Sequence, residues 1–124
     1  MWSLVLLGVL TGMALQGRDR LQVGTVGSAA ADTAVVAVRT FQFRPAQLEV
    51  VVGATVVWVN EDEIEHTATA GTAEMRDSLF ALPLARKGER AAFTFEKPGT
   101  YAYHCARHPF MRGELRVTLK GETR

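Results

Sequence analysis

The 124-residue sequence holds a single cysteine, so no internal disulfide is open to it. No CxxC pair exists either, which excludes a zinc ribbon and a dithiol redox couple. Glycine and proline are sparse, at 11 and 4, while hydrophobic residues reach 48%, so a collagen-like or disordered chain is excluded. Neither sign of charge dominates: 14 Lys and Arg face 13 Asp and Glu, a balance unsuited to gripping nucleic acid phosphates. The length fits one domain and leaves no room for a second.

A long apolar run is missing too. Leu4 to Leu15 (LVLLGVLTGMAL) has about the length of a signal-peptide core and falls short of the roughly 20 residues of a spanning helix. Ala29-Ala30-Ala31 supplies a small-x-small cleavage site before Asp32. Residues 1–31 are therefore expected to be a signal peptide or, if uncleaved, an N-terminal membrane anchor with Gly17 to Ala31 as its tether. In either case residues 32–124 form the working domain, periplasmic or otherwise exported. The lone Cys is Cys105, so no lipobox is present. Without Arg18, Asp19 and Arg20 the remainder balances at 12 basic and 12 acidic residues.

From Asp32 onward the pattern is that of strands. Val35 to Arg39, Phe41 to Arg44, Leu48 to Val52 and Thr55 to Asn60 are rich in β-branched and aromatic residues, with Pro45 and Gly53 as punctuation. His66 to Ala70, Ala91 to Glu96, Thr100 to Cys105 and Leu115 to Leu119 continue the series, with a Lys97-Pro98-Gly99 turn. About seven to eight short strands near ten residues apart, with no helical period, predict an all-β antiparallel sandwich. Thr72 to Leu84 reads as a loop with a short helical turn. Trp58, Phe93 and Phe95 read as core aromatics.

The chemistry gathers after the Tyr-rich strand, in Tyr103-His104-Cys105-Ala106-Arg107-His108-Pro109-Phe110-Met111. Cys105, His108 and Met111 fall at steps of three, and residues three apart in a turn bring their α-carbons within about 7 Å. A curled loop can aim all three side chains at one point, and Pro109 helps to fix the curl. A thiolate, two imidazoles and a weak thioether suit copper of the electron-transferring kind. Zinc accepts Cys and His, but its structural sites close with four N/S ligands and no thioether. The second imidazole has to come from elsewhere: His66 follows the Trp58 strand, whereas His104 alternates with Cys105 and points away. His104 is then either a lateral route for electrons or a solvent-facing side chain. Glu61, Asp62, Glu63 and Glu65, packed ahead of His66, read either as a patch that steers a cationic partner or as a solvated loop.

At these residues the sequence resembles the cupredoxins, type 1 blue copper proteins, and most of all the amicyanins within the plastocyanin–pseudoazurin group. The resemblance runs from Phe41 to Val117. It is carried by Leu48-x-Val50 before Gly53, Trp58-Val59-Asn60, His66, Pro98-Gly99-Thr100-Tyr101-x-Tyr103-His104-Cys105 and His108-Pro109-Phe110-Met111-Arg112-Gly113. It implies a Greek-key sandwich with one copper held by His66, Cys105, His108 and Met111. It further implies that the Thr67 amide donates to the Cys105 sulfur and that Asn60 ties the two ligand loops together. Amicyanins carry Asn where Thr67 stands, and typically Pro where Glu65 and Arg107 stand. Those two charges should pair across the loops, at the edge of an apolar docking face formed by Ile64, Pro109 and Phe110.

Three strong ligands and Met111 leave no open position for substrate, and no carboxylate pair stands by, so the expected role is electron carriage without catalysis. The alternatives are a periplasmic module that binds or delivers copper, and a metal-free interaction domain with a core Cys. The resemblance implies the partners amicyanins use, a dehydrogenase as donor and a c-type cytochrome as acceptor; the carrier itself is expected to be a monomer, and the charge balance speaks against a nucleic acid partner.

Overall fold

A computed structural model describes residues 32–121. The expected signal or anchor segment, residues 1–31, lies outside the described residues. The described chain is all β, in nine strands: β1 (Thr33–Arg39), β2 (Gln42–Arg44), β3 (Gln47–Val51), β4 (Thr55–Asn60), β5 (His66–Gly71), β6 (Arg76–Leu84), β7 (Arg90–Thr94), β8 (Gly99–His104) and β9 (Arg112–Thr118). They form a four-stranded sheet, β2-β1-β4-β7, and a five-stranded sheet, β3-β9-β8-β5-β6.

Alternation explains which faces meet. β4 buries Val56, Trp58 and Asn60 and turns Thr55, Val57 and Val59 outward, while β5 buries His66, Ala68 and Ala70 on the same period of two. Trp58 lies at the centre, with Tyr103 at 5.3 Å edge-on and Phe80 at 5.5 Å between ring centroids. Phe95 belongs to the buried core, and Phe93 packs against it from a half-buried position.

Two features differ from the sequence expectation. The sandwich is mixed rather than wholly antiparallel: β1 runs parallel to β4, with Val36 opposite Trp58, and β3 runs parallel to β9, with Leu48 opposite Leu115. Period-two alternation marks a half-buried strand but carries no sign of its direction, because side chains alternate alike in both pairings. The second difference is β6. Thr72 to Leu84 reads as a loop because Pro83 breaks the pattern and the alternation is poor, yet from Arg76 on it forms the longest strand. β6 lies at the edge of its sheet, mostly exposed, and an edge is where a strand tolerates proline.

Both segments that matter for function leave the same end of the sandwich. β4 ends at Asn60 and returns as β5 at His66; β8 ends at His104 and returns as β9 at Arg112. β5 and β8 are neighbours, Thr69 opposite His104, which sets the start of one beside the end of the other.

Candidate metal centre

Two successive four-residue turns, sharing His108, build the 105–111 loop. The Cys105 carbonyl accepts from the His108 N–H at 3.2 Å and the His108 carbonyl from the Met111 N–H at 2.8 Å. The Cys105 N–H donates to the Met111 carbonyl at 3.1 Å and closes the ring. The steps of three in the sequence are thus hydrogen-bonded steps in space, and they turn Cys105, His108 and Met111 to one side. Cys105 is wholly buried and Met111 is 2% exposed; only His108 reaches toward solvent.

The wholly buried His66 enters from the start of β5. Its Nδ1 lies 3.8 Å from the Cys105 sulfur, and the His108 Nδ1 lies 3.5 Å from the same atom. The donor atoms of His66, Cys105 and His108 all fall within 4.8 Å of one another. Both imidazoles point the same ring nitrogen inward, an arrangement that fits a single ion between them and the sulfur. His108 is held below the ordinary imidazole value, first by desolvation and then by the nearby His66 and Arg107, which favours the neutral ring that can donate a lone pair.

The surrounding bonds hold these side chains in place. The Thr67 N–H points at the Cys105 sulfur at 3.4 Å. Thr67 Oγ1 accepts from the Ala106 N–H at 2.8 Å, so a hydroxyl links the two loops. The resemblance implies that role for Asn60, whose side chain bonds elsewhere. Its buried amide donates to the carbonyls of Ile64 and Leu84, at 3.0 and 2.9 Å, and its oxygen accepts from the Asp62 N–H. Asn60 therefore shapes the 61–65 loop and ties it to the end of β6.

His104 points away from the centre as strand alternation requires, yet it is not solvent-facing. It is 4% exposed, and its Nδ1 donates to the Gly71 carbonyl at 2.8 Å. The acidic run ahead of His66 is no free patch of charge. Glu61 pairs with Arg39 at 3.7 Å, Glu63 with Lys87 at 3.2 Å and Glu65 with Arg107 at 3.4 Å. Asp62 turns inward to His66, Nε2 to Oδ2 2.8 Å. Burial acts to raise the Asp62 carboxyl, but the Phe41 and Thr40 amides and the His66 ring outweigh it, so the group sits below its usual value.

Two site residues escape the sequence reading. One is Asp62, hidden within an acidic run. The other is Phe41, whose ring meets His66 and His108 edge-on, at 5.3 and 5.0 Å between centroids. Around the mouth stand Ile64, Phe110 and Phe41, exposed by 43%, 67% and 39%, with Pro109 also exposed.

A two-sheet sandwich with His, Cys, His and Met gathered at one end defines the cupredoxin class. The chain belongs to the plastocyanin/azurin family of copper-binding proteins, whose model matches residues 30–118. It is 34% identical over 83 residues to the amicyanin of Paracoccus denitrificans and 31% identical over 87 residues to that of Paracoccus versutus. These matches cover 67% and 70% of this chain and 63% and 66% of the relatives, so under two thirds of either relative is spanned. Among solved structures, a purple cupredoxin from Nitrosopumilus maritimus superposes with a TM-score of 0.62 at 29% identity, over 68% of this chain and 99% of that one. A reduced amicyanin variant gives 0.61 at 32% identity, over 74% and 85%.

Proposed function

We propose that His66, Cys105, His108 and Met111 hold one copper ion and that the protein carries single electrons between redox partners outside the cytoplasm. The observation that carries this reading is the convergence of two Nδ1 atoms and one sulfur within 4.8 Å, with no carboxylate in the group and Met111 buried alongside. Copper, when bound, supplies a one-electron couple suited to a thiolate, two imidazoles and a thioether. The chain's own part is to keep the donors still. The hydrogen-bonded 105–111 ring and the Thr67 hydroxyl fix the loops against each other, so little has to move when the charge changes. The Thr67 N–H stabilises negative charge on the sulfur. Burial of His66, Cys105 and Met111 keeps water from a coordination position, which favours electron carriage over substrate chemistry.

His108 is the one donor that reaches the surface, so it is the exit for the electron. Ile64, Pro109 and Phe110 form the apolar docking face around it, with Glu65 and Arg107 on the rim. A dehydrogenase and a c-type cytochrome are the partners of choice, by likeness to the amicyanins, and the periplasm is the matching compartment. Delivery of copper to another protein calls for open, exchangeable donors, and three of these four are buried.

The test is direct. The copper-loaded protein should hold one copper per chain, show the intense blue absorption of a copper(II)–thiolate and give a reversible one-electron wave. Cys105→Ala should be colourless; a blue Cys105→Ala protein, or a wild type without copper, would overturn the reading.

A further inference from the structure

One carboxylate makes three hydrogen bonds where the metal centre meets the β1–β2 turn. Asp62 Oδ1 accepts from the Thr40 N–H at 2.8 Å. Asp62 Oδ2 accepts from the Phe41 N–H at 3.0 Å and from the His66 ring at 2.8 Å. A carboxylate only accepts, so His66 Nε2 bears the proton and its Nδ1, facing the Cys105 sulfur, carries the lone pair. The Asp62 side chain is 14% exposed, and its own N–H is held by Asn60 Oδ1 at 2.9 Å, so the carboxylate is aimed from both ends.

The turn it grips is unusual. Thr40 and Phe41 have φ of 50° and 59°, two consecutive side-chain-bearing residues in the left-handed region that favours glycine. The two-residue hairpin between Arg39 and Gln42 selects that conformation, which a β-branched Thr and a Phe do not favour, and the two amides presented to Asp62 help to hold it. The turn in turn delivers the Phe41 ring, which stands edge-on to both imidazoles, 89° to His66 and 90° to His108.

We infer that Asp62 is the positioning residue of the metal centre: its carboxylate fixes His66 with Nδ1 toward the copper and clamps the Thr40–Phe41 turn that seats the Phe41 ring against His66 and His108. This rests on the copper reading above and extends it. Metal-bound imidazoles are oriented by what their far nitrogen bonds, and a carboxylate there also makes the ring a stronger donor. A negative charge bonded behind one ligand favours copper(II), so it lowers the reduction potential. A purely structural aspartate would hold the turn and leave the potential and the tautomer alone.

The wild type is examined first. Nitrogen NMR of the metal-free protein at mildly alkaline pH should show His66 protonated at Nε2, with the Thr40 and Phe41 amides slow to exchange. The opposite tautomer would overturn the inference without any variant or metal. In Asp62→Asn one of the two acceptor oxygens becomes a donor, so both sets of bonds cannot be kept. The copper-loaded variant should stay blue with a raised potential, and in its metal-free form at least one of the Thr40 and Phe41 amides should exchange about tenfold faster or more. A potential equal to the wild type's, or amides exchanging at the wild-type rate, would also overturn it. Should Asp62→Asn fail to fold, the wild-type tautomer decides. A wild type that takes up no copper sinks the electron-carrier reading, while the tautomer and amide protection still test what Asp62 does.

Discussion

Met111 would bring a thioether to a copper site otherwise made of thiolate and imidazole, and a weak thioether donor tunes potential more than it retains metal. Met111→Gln should keep copper bound and lower the potential, because an oxygen donor favours copper(II); cyclic voltammetry giving an equal or higher value would remove Met111 from that role. Tyr103 poses a different question. Its hydroxyl and the Trp58 indole N–H are buried without a hydrogen-bond partner among the described residues. Burial pushes the phenol up to about 12 from an ordinary 10.0, with Trp58, near but out of bonding geometry, pulling slightly the other way. The folded form thus keeps a proton that the unfolded chain gives up, so stability should fall as pH rises from about 10 through about 12. In urea titrations Tyr103→Phe should flatten that fall and cost nothing at neutral pH, with a gain of up to ~1 kcal/mol, since the unpaired hydroxyl is gone. Of the centre, Cys105, His108 and Met111 were legible because their spacing is itself the turn. Phe41 and Asp62 were not: they meet across 21 residues, and neither a lone Phe nor one acid among four carries a spacing to read.

The strands themselves were nearly all legible, since most bury one face and alternate accordingly, as β4, β5 and β9 do. β6 was not, because an exposed edge strand has no buried face to impose a pattern. Strand direction was not either, because it is decided by how the chain crosses between sheets. The β8–β9 pair shows what registry demands. Tyr103 lies opposite Gly113, and a Cβ at Gly113 would land in the Tyr103 ring, which is buried and has nowhere to go. Gly113→Ala should cost about 1–3 kcal/mol, the range for overpacking a filled core, read from the urea midpoint. A variant as stable as the wild type would show that the ring swings aside. The two ligand loops are also joined by Glu65 and Arg107, an exposed contact worth under about 1 kcal/mol, so Glu65→Gln should leave the melting temperature nearly unchanged.

For the whole molecule, the proposed docking face would make those same two charges matter through partners. Rim charges act on the rate of encounter, so reversal at Glu65 or Arg107 should change the bimolecular electron-transfer rate in a salt-dependent way and leave the copper spectrum alone. Phe110→Ala should weaken the complex at every salt concentration, because it removes apolar contact. Stopped-flow rates indifferent to all three changes would move the docking face elsewhere. The parallel pairings have a consequence of another kind, in time. β3 meets β9 across most of the domain, Val50 bonding Thr118 at a separation of 68 residues, and His66 reaches Cys105 across 39. Chains wired through such distant contacts fold slowly. Until β5 finds β8, the one thiol of the protein lacks the His66 imidazole and the burial that would shield it, and the copper site is incomplete. In an oxidising compartment the danger to Cys105 is therefore concentrated before the sheets close, and the speed of folding guards the cofactor site as much as its burial does afterwards.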